Sequence, residues 1–365
     1  MKKIILSGGG TGGHIYPAVS VAEELKRQFG NDVELLFIGA EGKMEMDRIP
    51  ALGYKIEGLP VAGLQRKLSL KNLLLPVKIF RSLNKARKII RSFKPDIVVG
   101  FGGYASAPVL WTAQRMGIRT VIQEQNSYAG LTNKILSKRA EKICVAYDNM
   151  ERFFPSDKII MTGNPLRGNF TNIESKSVEA YKYFGLNPNK PVLLITGGSL
   201  GTKTLNSAVL RHLDRIVSEQ HFQVIWQTGK YYEQQIDEQL KGKHLSGIWR
   251  GAFIERMDYA YSIADVVVAR AGACTVSELS LVGKAVIFVP SPNVAEDHQT
   301  KNAQALTSKD AALLVPDYEA VERVIPEAEE LLKSQVRISH LVQNIKKLGI
   351  PDSAQRIVEC LKLTR

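Results

Sequence analysis

Cysteine is nearly missing from this 365-residue sequence: Cys144, Cys274 and Cys360 stand far apart and lack the spacing of a metal-binding cluster. That pattern excludes a disulfide framework and a thiolate zinc site, and it fits a reducing compartment. Long apolar runs are missing as well. The longest uncharged stretch, Ile97 to Gln114, is interrupted by Gly100, Gly102, Gly103, Ser106 and Pro108, so it reads as strand, turn and helix rather than a membrane span. The opening Met1-Lys2-Lys3-Ile4-Ile5-Leu6 reaches Gly8 too soon for a signal peptide. Acidic residues fall short of basic ones, leaving a formal charge of +13. A surplus of that size implies an acidic partner: nucleic acid, an anionic membrane or phosphorylated ligands. With 44% hydrophobic and 23% charged residues the chain is neither disordered nor fibrous. Its length makes two domains the natural expectation.

The shortage of acid is concentrated. Between Gly58 and Pro95 there is no Asp or Glu, while cations from Arg66 to Lys94 alternate with leucines and other apolar residues. Pro76 suits a helix start, and Ile79, Phe80, Leu83 and Ile90 recur at helical spacing. A solvated helix with a core-facing stripe explains part of this composition. It does not explain Leu73-Leu74-Leu75 beside so many cations. We read the segment as a membrane-surface contact made by Leu73, Leu74, Leu75, Lys78, Ile79, Phe80 and Arg81. Nucleic acid is the weaker reading, because aromatic residues for base stacking are scarce there.

Elsewhere, short apolar strands alternate with amphipathic helices. Strands are expected at Lys3–Ser7, Val33–Ile38, Asp96–Gly100, Thr120–Gln123 and Lys142–Val145. The pattern then restarts at Val192–Thr196, Val224–Thr228, Val266–Ala269 and Val286–Val289. Such alternation predicts an α/β protein of two doubly wound domains with parallel sheets, facing each other across a cleft. The expected division is 1–163 and 164–344, with a last helix over about 345–365 packing back on the first domain. Parallel sheets bind ligands at the C-terminal ends of their strands. Three glycine-rich turns lie at such ends: Gly8–Gly13, Gly100-Phe101-Gly102-Gly103 and Gly197-Gly198-Ser199-Leu200-Gly201. Any one could be a tight turn that packs helix on strand, but three together favour phosphate binding. No Gly-Lys-Ser/Thr follows the first, so it is not a P-loop. His14, just after that loop, is a candidate proton acceptor. In the stretch Ala264–Glu278 an apolar strand enters a small-residue turn and a helix opening at Thr275. There Glu278 either completes a capping box or reaches a ligand hydroxyl.

These motifs, in this order and spacing, resemble glycosyltransferase family 28. The carriers are Gly9-Gly10-Thr11-Gly12-Gly13-His14, Gly100-Phe101-Gly102-Gly103-Tyr104, Glu124-Gln125-Asn126 and Ala129-Gly130-Leu131-Thr132-Asn133-Lys134. In the second half they are Thr162-Gly163-Asn164-Pro165-Leu166-Arg167, Gly197–Gly201, Thr275-Val276-Ser277-Glu278 and Asp297-His298-Gln299-Thr300-Lys301-Asn302-Ala303. The resemblance implies a GT-B fold and an inverting transfer without metal or other cofactor, and no Asp-x-Asp occurs in the sequence. The implied donor is UDP-N-acetylglucosamine. The implied acceptor is the undecaprenyl-diphosphate-linked muramyl-pentapeptide, used at the cytoplasmic face of the cell membrane by a peripheral enzyme of peptidoglycan synthesis. Partners would be an anionic membrane surface and cell-wall synthesis or division proteins, with no nucleic acid. By the same resemblance Thr11, Gly12 and Gly13 cover the sugar and diphosphate, and Ser199 and Arg167 contact phosphate or sugar. The backbone at Ile254 reads the uracil. Ala273, Cys274, Thr275, Val276, Ser277 and Glu278 hold the nucleotide, and Asn126 and Gln299 touch the N-acetylglucosamine. His14 is the first choice for the general base and Glu124 the second.

Two positions depart from the family pattern. Gln123 stands where many members have His, and Thr202-Lys203 replaces the usual Ala-Arg, leaving a less forked cation near the diphosphate. Other readings are a related lipid glycosyltransferase, a UDP-N-acetylglucosamine epimerase and, from the first glycine loop alone, an NAD-dependent dehydrogenase. The basic apolar segment disfavours the epimerase, which needs no lipid acceptor.

Overall fold

The structure, a computed structural model, describes residues 1–61, 75–166, 170, 173–219 and 221–363. It forms two compact units, Met1–Arg167 with Asp352–Arg365, and Gly168–Pro351. The first carries strands β1 (Lys2–Ser7), β2 (Val33–Ala40), β3 (Ile56–Leu59), β4 (Ile97–Gly100), β5 (Arg119–Glu124), β6 (Lys142–Val145) and β7 (Ile159–Met161). The second carries β8 (Val192–Thr196), β9 (Gln223–Gln227), β10 (Ile248–Gly251), β11 (Val266–Ala269), β12 (Ala285–Phe288) and β13 (Leu313–Leu314).

Both sheets are wholly parallel. Their orders are β3-β2-β1-β4-β5-β6-β7 and β10-β9-β8-β11-β12-β13. The order therefore reverses between β1 and β4 in one unit and between β8 and β11 in the other. The inner strands Ile97–Gly100, Val192–Thr196 and Val266–Ala269 are buried along their whole length, because helices cover both faces. That is why Val, Ile and Leu dominate them, with no polar alternation.

The C-terminal residues complete the first unit. Helix Ser353–Cys360 packs against helix Gly12–Phe29, and Ile357, Val358, Cys360 and Leu361 join its core. Arg119 fixes the end of that helix by donating to the Leu361 carbonyl at 2.9 Å. The Cys360 thiol meets Cys144 of β6, and that contact together with burial pushes the Cys144 thiol well up.

Helix Leu75–Phe93 buries Ser82, Ala86 and Ile90, whereas Val77, Ile79 and Phe80 are 49%, 50% and 65% exposed. Ile79 and Phe80 thus face outward among Lys78 and Arg81, and the inward stripe runs through Ser82, Ala86 and Ile90. Leu73 and Leu74, and the side chain of Leu75, lie outside the described residues.

The first two glycine loops touch backbone to backbone. A Cβ on Gly103 would sit 2.5 Å from the Gly9 carbonyl oxygen, and Gly103 has φ +76°. Gly42 has a similar φ of +69° but open space around it. Gly103→Ala is therefore expected to lower stability by about 2–4 kcal/mol, and Gly42→Ala by only about 1 kcal/mol. Paired guanidinium unfolding curves measure the difference, which isolates the loop contact from the cost of left-handed backbone.

Candidate functional site

At the β1/β4 reversal, the loop after β1 runs into helix Gly12–Phe29 with Thr11 as its N-cap. The Thr11 hydroxyl and His14 Nδ1 are 3.0 Å apart. The His14 ring rests on the loop after β4, close enough that a Cβ on Gly102 would approach Nε2 to 3.3 Å. His14 lies in the first turn of the helix, half-buried, with glycine backbone on one side and a hydroxyl on the other.

Beneath this loop is a residue the sequence reading passed over. Glu45 is 1% exposed, and its Oε1 accepts from the backbone N–H of Gly10 at 3.1 Å and of Ala40 at 3.0 Å. Its Oε2 is buried and has no hydrogen-bond partner among the described residues. Glu45 lies five residues beyond the end of β2 at Ala40. It anchors the glycine loop from behind instead of standing over it.

Glu124, at the end of β5, is also turned inward and 2% exposed. Its Oε1 accepts from the amide and the side chain of Asn126 at 3.1 and 3.3 Å. Its Oε2 accepts from the Gly130 amide at 3.0 Å and from Asn133 Nδ2 at 2.8 Å. Four donors occupy a carboxylate that was a candidate base. The geometry makes Glu124 the clamp that shapes the Asn126–Asn133 loop and aims Asn126. Gln123 is fully buried, donating to Asn164 Oδ1 at 2.9 Å and accepting from Gln125 Nε2. An amide both donates and accepts, so the departure from His is absorbed into a closed network that includes the Phe101 carbonyl.

At the β8/β11 reversal the loop Gly197–Gly201 enters helix Lys203–Arg211 with Thr202 as N-cap. The Thr202 hydroxyl donates back to the Gly197 carbonyl at 3.1 Å. A cavity of about 470 Å³ opens here, lined by this loop together with Lys203, Arg270, Thr275, Gln299 and Asp317. The first amides of a helix and a glycine loop around one hollow have the chemistry to hold an anion. Ser199 sits exposed on the loop between lining residues Gly198 and Leu200.

Arg270 was not singled out from the sequence, although it follows β11 directly. Its guanidinium donates to the carbonyls of Val289 and Pro290 at 2.8 and 3.0 Å and pairs with Asp317 at 2.5 Å. Burial pulls its pKa down, opposed by Asp317. Gln299 accepts from the Ser291 amide at 2.9 Å, which fixes the side chain at the cavity. Ile254 is buried, and its amide already donates to Gln227 Oε1, whose Nε2 in turn holds the Gly198 carbonyl. Any reading of a base by this backbone therefore falls to other groups than the Ile254 N–H. Arg167 lies outside the described residues.

The helix after β11 spans Ala273–Val282 with Gly272 as N-cap and no side-chain cap. It starts two residues before Thr275, which places Glu278 in the second turn and removes the capping box. Glu278 Oε2 accepts from the Tyr261 hydroxyl at 3.2 Å. Burial raises the Glu278 carboxyl to about 7, with the Tyr261 bond opposing, although part of the side chain still reaches the surface. Burial and the Glu278 charge push the neighbouring Cys274 thiol up to about 12.

Residues 4–145 match the glycosyltransferase family 28 N-terminal domain, and residues 192–357 match the glycosyltransferase family 28 C-terminal domain. A relative from Parabacteroides distasonis is 53% identical over 98% of this chain and 96% of its own length. One from Bacteroides fragilis is 52% identical over 100% and 96%. Both are named UDP-N-acetylglucosamine–N-acetylmuramyl-(pentapeptide) pyrophosphoryl-undecaprenol N-acetylglucosamine transferase. Among solved structures, MurG of Acinetobacter baumannii matches with a TM-score of 0.79 and 28% identity, covering 99% of both chains. A UDP-N-acetylglucosamine 2-epimerase from Neisseria meningitidis shares the fold at a TM-score of 0.68, with 16% identity over 99% and 100% of the two chains.

The buried carboxyl gives a stability signature. Glu278 holds its proton more tightly in the fold, at about 7 against an ordinary 4.5. Its contribution is therefore complete below about pH 4.5 and is lost as pH rises to about 7. Glu278→Gln should match the wild type near pH 5 and exceed it at pH 8 by about 2–3 kcal/mol, measured by chemical denaturation at both values.

Proposed function

The chain belongs to glycosyltransferase family 28, and we propose that it transfers N-acetylglucosamine from UDP-N-acetylglucosamine to the 4-hydroxyl of a muramyl-pentapeptide carried on undecaprenyl diphosphate. The observation that carries this reading is the full-length likeness to curated transferases of that activity, with both family domains matched in order. Family membership removes the dehydrogenase reading, and the epimerase is alike in fold alone.

In the second unit, the amides of Gly197–Gly201 and of the following helix receive the donor diphosphate. Lys203 and Arg270 supply positive charge as UDP leaves. The ribose hydroxyls donate to Glu278, the uracil meets the Phe253–Ile254 backbone, and Gln299 positions the sugar. In the first unit, the Thr11–Gly13 loop and Asn126 address the acceptor and the transferred sugar. His14 donates Nδ1–H to Thr11, and its Nε2 takes the proton of the attacking hydroxyl. The new bond forms at the anomeric carbon with inversion, and UDP departs with the electron pair of the old one.

Among the described residues no helix is long and apolar enough to cross a membrane. Helix Leu75–Phe93 instead presents Ile79 and Phe80 between Lys78 and Arg81, a surface suited to an anionic bilayer. On this reading the enzyme works peripherally at the cytoplasmic face of the cell membrane.

Purified protein given labelled UDP-N-acetylglucosamine and a lipid-linked acceptor should form a disaccharide-lipid and free UDP. Conversion of the donor to its 2-epimer without acceptor would instead support the epimerase. His14→Ala should lower kcat by about 10²–10⁴-fold and leave UDP affinity intact, and full turnover would remove His14 as the base. Hydrogen bonds from the ribose need the ionised Glu278, so calorimetric UDP affinity should rise with pH through about 7. Glu278→Ala should weaken binding by about 1–3 kcal/mol and flatten that dependence.

A further inference from the structure

Helices Leu75–Phe93 and Gly103–Arg115 pack together and, with helix Leu131–Ser137, wall a groove of about 570 Å³ in the first unit. That volume is in the range of small-molecule sites, ~300–1,000 Å³. Its walls include Ile79, Leu83, Tyr104, Ala107, Trp111 and Ile135, and no Asp or Glu is among its lining residues. Two features separate it from an ordinary surface dimple. First, Tyr104 lines the groove and also lies against Gly10: a Cβ there would meet the ring at 3.1 Å. One aromatic ring thus separates the apolar groove from the first glycine loop. Second, Lys78 also lines the groove, and its helix carries Arg81, Lys85, Arg87, Lys88 and Arg91 with no acid. The site therefore joins three parts in sequence: a glycine loop opening a helix whose start suits an anion, an apolar channel, and exposed apolar residues such as Ile79 at 50%, Trp111 at 41% and Ile135 at 56%.

A molecule complementary to that sequence carries a diphosphate followed directly by a long hydrocarbon chain. We propose that the groove seats the first isoprenoid units of the lipid-diphosphate acceptor, so that the chain is held by protein before it enters the bilayer. The proposal rests on the transferase reading and names a subsite for the part of the acceptor that does not react. It differs from a membrane contact, because a groove selects one chain whereas a contact surface dissolves among many. Binding the remote chain would also hold the muramyl hydroxyl in register.

The test titrates the full-length protein by calorimetry with farnesyl diphosphate and with inorganic diphosphate, beside flotation with vesicles containing anionic lipid. We expect farnesyl diphosphate to bind at least about tenfold tighter than diphosphate. Ala107→Phe, which fills the groove, should erase that advantage and leave flotation unchanged. Trp111→Ala, which removes a wall, should reduce the advantage in a variant whose fold is not burdened by added volume. Equal affinity for the two ligands in the wild type would overturn the proposal. So would Ala107→Phe reducing flotation while farnesyl diphosphate binding persists, which would make the groove an insertion surface. Because binding is read without turnover, a failure here is distinct from a failure to make the disaccharide-lipid in the transfer assay.

Discussion

Where a parallel sheet reverses its strand order, the loops leaving the two adjacent strands run to opposite faces and cannot cover the strand ends between them. This chain has one such reversal in each unit, at β1/β4 and at β8/β11. The glycine loops after β1, β4 and β8 and the helix after β11 all leave from those two places. The loops there must be glycine-rich because backbone approaches backbone, as Gly103 approaches the Gly9 carbonyl. Glycine loops carry no side chains of their own to hold them, and neighbouring groups do it instead. Glu45 anchors the first from behind, Gln227 holds the Gly198 carbonyl of the third, and Thr202 closes its turn. The amides left at the helix starts can then face a ligand.

The sequence made the inner part of this architecture readable. All nine expected strands are present, because strands buried on both faces must be nearly continuous Val, Ile and Leu. The four that were missed, β3, β7, β10 and β13, are the four sheet edges. They are two to four residues long and only partly buried, as in Ile-Trp-Arg-Gly of β10, so no apolar run marks them. Likewise, the stretch Lys203–Glu219 folds as two helices, Lys203–Arg211 and Leu213–Glu219. A one-residue break at His212 leaves almost no trace in amphipathic periodicity.

Within the site, motif spacing located the loops but not the direction in which their carboxylates point. Glu124, a candidate base, is consumed by four donors from its own loop, and Glu278, read as a cap or a ligand contact, caps nothing and is held by Tyr261 in a setting that raises its pKa. Glu45 and Arg270 were overlooked because neither belongs to a glycine motif. Their importance comes from contacts with residues 35 and 47 positions away in the chain, Gly10 and Asp317. Such pairings exist only once the sheet has assembled.

The helix Ser353–Cys360 has an implication for how the protein is made. Its Ile357, Val358 and Leu361 are part of the core built around β1 and helix Gly12–Phe29. On the ribosome that core stays open until residues 353–361 emerge, so all of Gly168–Pro351 must be synthesised first. At ~5–20 residues per second the interval is on the order of ten seconds or more. During it the first unit carries an uncovered apolar face, while the second, being continuous in sequence, can already close. The polypeptide is therefore assembled out of order: the core of the first unit closes only after the whole of the second has been made.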